Sequence, residues 1–309
     1  MTIDMPIDKE HARSGKKPIY IGRFAPSPSG PLHFGSLVAA LGSYLDARSK
    51  NGIWLVRMED IDPPREQPGA ADQILKSLEA YGLHWDEQVL FQSQRHEAYR
   101  QIINHLEAKG FIYPCTCTRK DLQGYGGVYP GICRDKSDNT KTQHSLRVRC
   151  PEKIIEFQDL IQGSIQYALP DLGDFIIQRK DGLFAYQLAV CADDAYQGIT
   201  HVVRGYDLLN ATPWQIYLLS LLNTTTPTYA HVPVITLENG DKLSKQNHAP
   251  EIPLDQPEQQ LFKALQALGQ NPDKALASSS VSDILRWGIA HWQIEKVAKR
   301  PSVPLAALS

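Results

Sequence analysis

A segment rich in glycine and proline near the start of the chain has the residue types that bind phosphate groups. It covers residues 23–36, RFAPSPSGPLHFGS, between a predicted strand and a predicted helix. Gly30 and Gly35 permit close approach of the backbone, the helix start offers unpaired N–H groups at the positive end of its dipole, and His33 can donate to a phosphate oxygen. Alone, the segment would be better interpreted as a proline-rich turn around a core histidine.

A second candidate segment, GDKLSK at residues 240–245, lies about 200 residues further along the chain. Its composition is that of a polar loop, and Lys242 and Lys245 in it would contact the β- and γ-phosphates of the same nucleotide. Two lysines in a polar loop are usually only solvated side chains. The two segments together, in this order on a nucleotide-binding fold, indicate one shared nucleotide site.

Three of the five cysteines are close in sequence and have turn residues between them: Cys115, Cys117 and Cys133. In a reducing compartment such a group indicates metal ligands rather than disulfides, and thiolates in this arrangement suit a tetrahedral Zn²⁺ site. The fourth ligand must come from elsewhere in the chain. The alternative is that these are reduced structural cysteines, as we expect for Cys191, which lies in an apolar helical stretch.

The elements that must position these residues alternate between strand and helix. Residues 19–24 and 53–58 are short, apolar and β-prone, and residues 37–47 between them are apolar with a helical period. Amphipathic helices are predicted at 69–81 and 94–109. This pattern predicts an α/β fold with a Rossmann-type, doubly wound parallel sheet.

The composition changes after residue 113, where cysteine, glycine, proline and short strand candidates such as 145–148 predict an inserted subdomain. Alternation then resumes with a strand at 199–203 and a helix at 212–222, for which Thr212 is the expected N-cap. Helices are also predicted at 257–268 and 281–298. The predicted units are a tail (1–18), the first half of a catalytic domain (19–113), an inserted subdomain for binding zinc and the acceptor (114–170), the second half of the catalytic domain (171–235), a loop (236–250) and a small C-terminal helical cap (251–309).

The bulk composition names a class rather than an activity. The chain has 309 residues, of which 42% are hydrophobic and 21% charged, with a formal net charge of −2, as expected for a packed globular protein. A neutral total does not exclude a local basic surface for RNA. No apolar run predicts a secretory signal or a membrane helix, so we expect a cytoplasmic protein. We also expect a monomer.

On these motifs the chain resembles the glutamyl-tRNA synthetase branch of the class I aminoacyl-tRNA synthetases. Residues 23–36 match the HIGH motif of that family and residues 242–245, KLSK, match its KMSKS motif. Residues 57–62, RMEDID, and the stretch 186–204 match further runs of the family. The resemblance extends over about residues 19–250 and implies the class I catalytic fold, glutamate and ATP as substrates, and Mg²⁺ with the nucleotide.

The resemblance assigns site residues position by position. It implies that six residues line a glutamate pocket: Arg23, Ala25, Ser27, Glu59, Tyr186 and Arg204. It implies that His33, Gly35 and Lys245 hold ATP, and that His33, Lys242 and Lys245 serve catalysis. Relatives with a Cys-x-Cys, Tyr-x-x-x-Cys pattern imply Tyr129 as the fourth zinc ligand, with Cys150 as the alternative.

The chemistry of these residue types agrees with a dicarboxylate substrate. Either Arg23 or Arg204 could bind the side-chain carboxylate, and Glu59 could bind the ammonium group. The alternative is that Glu59 and Arg204 form only structural ion pairs. The implied reaction is attack of the glutamate α-carboxylate on the α-phosphate of ATP, driven by positioning and electrostatic stabilisation.

Two departures from the family pattern modify this expectation. Only 59 residues, 251–309, follow Pro250, where full-length relatives have an anticodon-binding region. In this the chain resembles the stand-alone paralogues that transfer glutamate to queuosine at the wobble position of tRNA(Asp). A truncated enzyme charging a tRNA 3′ end and a catalytically silent RNA-binding relative are the alternatives. Val190 replaces a polar amide of the family, which predicts weaker glutamate binding.

Overall fold

The computed structural model describes residues 19–136, 143–237, 240–243 and 249–308. Its first strands and helices are β1 (Ile21–Phe24), α1 (Phe34–Ser49), β2 (Ile53–Met58), α2 (Ala70–Ala80), β3 (Leu90–Phe91), α3 (His96–Ala108), β4 (Ile112–Cys115) and β5 (Ser145–Val148). The second half contains β6 (Ile154–Asp159), β7 (Gly163–Ala168), α4 (Leu169–Leu172), β8 (Ile176–Gln178), α5 (Tyr186–Tyr196), β9 (His201–Gly205), α6 (Thr212–Leu221), β10 (Thr228–Val232) and β11 (Val234–Thr236). The last elements are α7 (Pro257–Ala267), α8 (Val281–His291) and β12 (Ser302–Pro304).

Parallel strands form the centre of the molecule. Strand β2 lies between β1 and β3, and β10 lies between β9 and β6, with parallel pairing in every case. The two groups meet where the backbone N–H of Thr200 donates to Ile21 O at 2.9 Å, which places β9 beside β1. The α/β class and the parallel sheet predicted from the alternating pattern are therefore confirmed.

Helix α1 follows β1 directly and is buried along most of its length because it lies between the sheet and the C-terminal helices. Its side chains Leu37, Leu41 and Leu45 are fully buried in the largest apolar cluster. The same cluster includes Leu265 of α7 and Leu285 of α8. Helix α1 therefore fixes the first loop of the chain, which precedes it, relative to both the sheet and the C-terminal segment.

A separate antiparallel sheet of β4, β5 and β8 supports the cysteine-containing segment. Strand β6 also pairs antiparallel with β7, while its other edge contacts β10 of the parallel group. Strand β4 crosses the boundary proposed at residue 113, and the pairing of β5 with β8 joins residues on both sides of the boundary proposed at residue 170. The division of the chain into units stays a prediction. Among the described residues, no helix is both long and apolar enough to cross a membrane.

Most predicted elements occur within a few residues of their expected bounds, and β2 and β5 have the predicted bounds. Two details are wrong. Helix α6 begins at Thr212 itself, with Ala211 in the capping position. Helix α8 ends at His291 rather than at residue 298, because Trp292 is extended and Gln293 N–H donates to the side chain of Gln270 at 3.0 Å.

The end of α8 is attached to α1 through a buried carboxylate. Trp292 Nε1 donates to Asp46 Oδ1 at 2.9 Å, and Tyr20 donates to Oδ2 of the same carboxylate at 2.5 Å. Asp46 is fully buried. If a substitution removed one of these donors, water would not replace the lost hydrogen bond. This contact explains why the helix stops where it does.

We expect Trp292→Phe, which removes this donor and keeps an aromatic ring, to lower the free energy of unfolding by about 1–2 kcal/mol. The matched control is Trp287→Phe within α8, whose indole packs on the core and stacks on His291. Urea unfolding of the three proteins measures both effects. Equal losses in the two variants would mean that ring volume, not the hydrogen bond to Asp46, determines the stability.

Candidate functional site

The loop between β1 and α1 ends on His33, which caps the helix. His33 Nδ1 accepts a hydrogen bond from Ser36 N–H at 3.2 Å. Since Nδ1 is an acceptor, the neutral ring carries its proton on Nε2, which lies 3.0 Å from Ser36 Oγ. The capping geometry thus supplies the donor expected of His33, at the positive end of the helix dipole.

Two glycines permit the path of this loop. Gly30 has φ 136°, a conformation that other residues rarely adopt. At Gly35, an added Cβ would lie 3.1 Å from His33 Cε1 and 3.4 Å from Leu243 O. The second candidate segment therefore comes close to the first, as the ATP-site interpretation requires.

Lys242 of the second segment is anchored near the end of β9. Its Nζ lies 2.6 Å from Asp207 Oδ2, and Leu243 N–H donates to Ile235 O at 2.8 Å. Lys245, expected to hold ATP, lies outside the described residues. Among the predicted nucleotide contacts, His33, Gly35 and Lys242 are thus brought to one end of the sheet.

A buried ionic network lies next to this loop. Arg23 Nε and Nη2 donate to the two carboxylate oxygens of Asp194 at 3.3 and 3.4 Å. Arg57 Nη1 lies 2.8 Å from Asp194 Oδ1, and Arg57 Nη2 lies 3.7 Å from Glu59 Oε1. Arg57 is fully buried, and its Nε and Nη2 have no hydrogen-bond partner within the described residues. Arg23 and Arg57 therefore share one carboxylate, that of Asp194.

Glu59 lies at the end of β2, and its N–H donates to Pro26 O at 2.9 Å, which brings it to the first loop. Burial raises the pKa of Glu59 to about 7, and the opposing influences of Arg57 and Arg23 only reduce this effect. Its carboxyl group is consequently close to balance between its neutral and ionised forms near neutral pH. A cation arriving next to it would favour the ionised form.

Arg204, on β9, is the third buried arginine of this region, and it is held mainly by neutral groups. Nε donates to His231 Nε2 at 3.0 Å, Nη2 to Thr212 Oγ1 at 2.8 Å, and Nη1 to the Tyr186 hydroxyl at 3.3 Å. Across residues 19–136, 143–237, 240–243 and 249–308, no carboxylate lies within 4.0 Å of its guanidinium nitrogens. Within the described part of the chain, Arg204 therefore has no carboxylate in direct contact, unlike Arg23.

Tyr186, the first residue of α5, lies where these charges meet. Burial raises the pKa of its phenol, and Arg204, Glu59 and Arg23 are among the charges near enough to influence it. Ala25 is half-buried and Ser27 is exposed on the adjoining loop. Three of the residues assigned to the glutamate pocket, Arg23, Glu59 and Arg204, thus lie near Tyr186, and the assignment of Ala25 and Ser27 stays a prediction. Val190, one turn along α5, is buried in an apolar cluster.

The sequence did not reveal the partners that hold these side chains. Asp194 and Arg57 balance Arg23 and Glu59, while Asp159 and His231 support Arg204. One available signal was the pair of aspartates 193–194 within an otherwise apolar helix. A histidine in a buried strand gave a weaker signal, because such residues are usually satisfied within the core.

The three cysteines predicted as metal ligands do form a cluster. Their Sγ atoms lie within 4.8 Å of one another, and this is the one group of at least three His, Cys, Asp or Glu ligand atoms found in the described part of the chain. Cys117 Sγ and Cys133 Sγ are 3.5 Å apart, and the Tyr129 hydroxyl lies 3.3 Å from Cys115 Sγ and 3.7 Å from Cys117 Sγ. This group could bind a metal ion.

Cys150 is placed apart from this cluster. Its Sγ donates to Gly173 O at 3.2 Å, and its side chain belongs to a different apolar group from that of the other three cysteines. Burial raises the pKa of the Cys150 thiol to about 12. Cys191 is also buried in the core, as expected.

Comparison with known proteins agrees with this arrangement. Residues 21–277 match the family described as tRNA synthetases class I (E and Q), catalytic domain. The chain belongs to this family. It is 53% identical over 291 residues to the glutamyl-Q tRNA(Asp) synthetase of Pseudomonas fluorescens, covering 94% of this chain and 97% of the relative.

Another relative and a solved structure extend the comparison. The glutamyl-Q tRNA(Asp) synthetase of Pseudomonas entomophila is 53% identical over 290 residues, covering 94% of this chain and 98% of the relative. The crystal structure of glutamate-tRNA synthetase from Elizabethkingia anophelis superposes with a TM-score of 0.78 at 24% identity, covering 92% of this chain and 68% of that chain. At this sequence identity, the likeness to the Elizabethkingia anophelis structure shows only the class I catalytic fold.

The raised pKa of Glu59 predicts a dependence of stability on pH. A carboxyl group whose pKa rises on folding binds its proton more tightly in the folded chain, so its contribution to stability falls as the pH rises from the unfolded pKa towards 7. We expect the free energy of unfolding of the wild type, relative to Glu59→Gln, to fall by about 2 kcal/mol between about pH 5 and pH 8. Urea unfolding at both pH values measures this difference; a constant difference would contradict it.

Proposed function

We propose that this protein activates glutamate with ATP to form glutamyl-adenylate and transfers the glutamyl group to queuosine at the wobble position of tRNA(Asp). The observation that carries the proposal is a pair of buried groups of opposite sign near Tyr186. Arg204 is buried and has no carboxylate in contact among the described residues, and Glu59 has a carboxyl group that a cation would ionise. Glutamate offers a carboxylate to the first and an ammonium group to the second.

The geometry favours Arg204 over Arg23 as the partner of the substrate's side-chain carboxylate. A buried guanidinium without an anion is costly, and an arriving carboxylate removes that cost. Arg23 already shares its charge with Asp194 at 3.3 Å. In this proposal Arg23 shapes the pocket together with Ala25, Ser27 and Tyr186, while Arg204 and Glu59 select the dicarboxylate amino acid.

Activation would place the glutamate α-carboxylate in line with the α-phosphate of ATP. A carboxylate oxygen attacks the α-phosphorus, and the bond to the β-phosphate oxygen breaks as pyrophosphate leaves. His33 Nε2–H, Lys242 and Lys245 would stabilise the phosphate charges, and Gly35 lets the nucleotide approach the backbone. Mg²⁺ would arrive bound to the ATP phosphates.

The acceptor is argued from the relatives. Curated proteins of matching length, about 53% identical, carry the name glutamyl-Q tRNA(Asp) synthetase. Queuosine has a cyclopentenediol, a cis-diol like the ribose at a tRNA 3′ end. In the proposed transfer step, a hydroxyl oxygen of the diol attacks the carbonyl carbon of the adenylate, and AMP leaves.

We also propose that Cys115, Cys117, Tyr129 and Cys133 hold one Zn²⁺. At a Zn–S distance of about 2.3 Å, a tetrahedral centre separates its sulfur ligands by roughly 3.8 Å, close to the 3.5 Å between Cys117 and Cys133. The guanidinium of Arg147 lies 3.8 Å above the Tyr129 ring, a position that would stabilise a phenolate. Bound Zn²⁺ would cross-link the segment that follows β4.

Transfer of labelled glutamate tests the function. With ATP and the purified protein, we expect labelling of bulk tRNA from cells that make queuosine and none of tRNA from cells that cannot. Labelling should persist after removal of the 3′-terminal adenosine, because the proposed acceptor is the wobble nucleoside. Arg204→Gln should reduce glutamate-dependent ATP–pyrophosphate exchange at least tenfold, since it removes the pocket cation.

Other results would support other functions. Equal labelling of both tRNA pools, lost with the 3′ adenosine, would identify an enzyme that charges the 3′ end. An absence of both exchange and transfer would indicate an RNA-binding relative without catalytic activity.

Metal analysis tests the zinc site. We expect about one zinc per chain in the wild type, loss of most of it in Cys133→Ser, and retention in the matched variant Cys150→Ser. Tyr129→Phe should release zinc to a chelator faster than the wild type, because one ligand is lost. A wild type without zinc, or a Cys150→Ser variant that loses it, would contradict the assignment.

A further inference from the structure

Arg204 stands at the end of a row of three buried side chains that crosses three parallel strands. In the register of the sheet, His231 on β10 lies beside Arg204 on β9, and Tyr229 on β10 lies beside Asp159 on β6. Asp159 Oδ2 lies 2.6 Å from His231 Nδ1, and His231 Nε2 lies 3.0 Å from Arg204 Nε. Asp159 and His231 are fully buried, and Arg204 is 5% exposed.

The hydrogen-bond pattern fixes the protonation of the imidazole. Arginine can only donate, so His231 Nε2 must accept from Arg204. The proton of the ring is then on Nδ1, which donates to Asp159. The hydroxyl of Thr212, 3.2 Å from Nε2, is compatible with the same tautomer. His231 is thus neutral, and burial together with the charge of Arg204 lowers its pKa to about 4, although Asp159 opposes this.

Asp159 is itself held firmly. Its Oδ1 accepts from the backbone N–H groups of Ile161 at 3.0 Å and Gln162 at 2.8 Å, and from His231 N–H at 3.2 Å. Burial alone would raise the pKa of Asp159, but hydrogen bonds from His231 and the backbone outweigh it and lower that pKa. One carboxylate oxygen is therefore fixed by the backbone while the other orients the imidazole.

We propose that Asp159 and His231 form a positioning dyad that fixes the guanidinium of Arg204 for the substrate carboxylate without neutralising its charge. The inference rests on the proposed glutamate site and adds two residues to it. A carboxylate in direct contact with Arg204 would orient it equally well, but it would also compensate its charge and compete with the substrate. The neutral imidazole supplies an acceptor, and the anion stays one residue further away.

Asp159→Asn is the sharpest test. It replaces one carboxylate oxygen by an NH₂ group of nearly the same size, so a hydrogen-bond acceptor becomes a donor. If the amide nitrogen faces His231 Nδ1, it donates to that atom, and the imidazole proton moves to Nε2, against the Nε–H of Arg204. If the amide is turned the other way, its NH₂ group faces the backbone N–H groups of Ile161 and Gln162, and donors oppose donors. In either orientation the support of Arg204 is disturbed while the packing volume is kept.

We expect Asp159→Asn and His231→Leu to raise the KM for glutamate in ATP–pyrophosphate exchange by about tenfold or more, and to leave the KM for ATP within about twofold. His231→Gln, whose carboxamide oxygen can accept from Arg204, should recover at least about threefold relative to His231→Leu. In the His231→Leu background, Asp159→Asn should have little further effect on the glutamate KM. His201→Leu is the control: this histidine of the same strand as Arg204 stacks on Tyr20 at 4.0 Å, and its loss should leave the glutamate KM unchanged.

The outcomes separate this inference from the proposed function. A wild type without glutamate-dependent exchange, with or without tRNA, would overturn the proposed function and the inference with it. An active wild type whose Asp159→Asn and His231→Leu variants keep the normal glutamate KM would overturn the dyad alone. Equal rises in the KM values for glutamate and ATP, without recovery in His231→Gln, would show a purely structural role and also overturn it.

Discussion

The site depends on the unequal neutralisation of three buried arginines. Removing a charged group from water costs several kcal/mol unless a partner of opposite charge replaces the lost hydration. Asp194 provides that partner for Arg23 and Arg57, whereas Arg204 is held by an imidazole, a hydroxyl and a phenol. The proposed glutamate site therefore holds one buried cation and one carboxyl group near its titration point. Arg204 lies on β9 and Glu59 directly follows β2, so the fold supports the proposal of a ligand that carries both signs.

The parallel sheet sets the relative positions of these charged groups. Arg23, Arg57 and Arg204 lie on β1, β2 and β9, so their relative positions are set by strand register rather than by loop conformation. A slip of one residue would turn each of these side chains to the opposite face. The same register aligns His231 and Asp159 behind Arg204. The network proposed to bind glutamate is consequently built on strands of the sheet, while the proposed nucleotide contacts lie on the loops.

Much of this could be predicted from the sequence, and the physical reasons for the failures are specific. Strand β2 was predicted with its observed bounds because its apolar, β-prone run is sharply bounded, and the three clustered cysteines were visible from spacing alone. The partner of Arg23 was not, since Asp194 is 171 residues away in sequence and no local pattern encodes an ion pair over that distance. Helix α8 was predicted too long because its end is set by tertiary contacts of Trp292 and Gln293, not by helix propensity.

The C-terminal segment contacts both parts of the proposed nucleotide site, which a peripheral cap would not do. Glu251 forms a β-bridge with His33, and Ile252 N–H donates to Leu32 O at 3.0 Å. At its other end, β12 pairs with β11, which leads directly into the segment containing Lys242. The segment thus joins the backbone before α1 to the strand before the lysine loop. Since in-line transfer requires the phosphate-binding groups on both loops to act at one nucleotide, this connection fixes a separation that the two loops could not set by themselves.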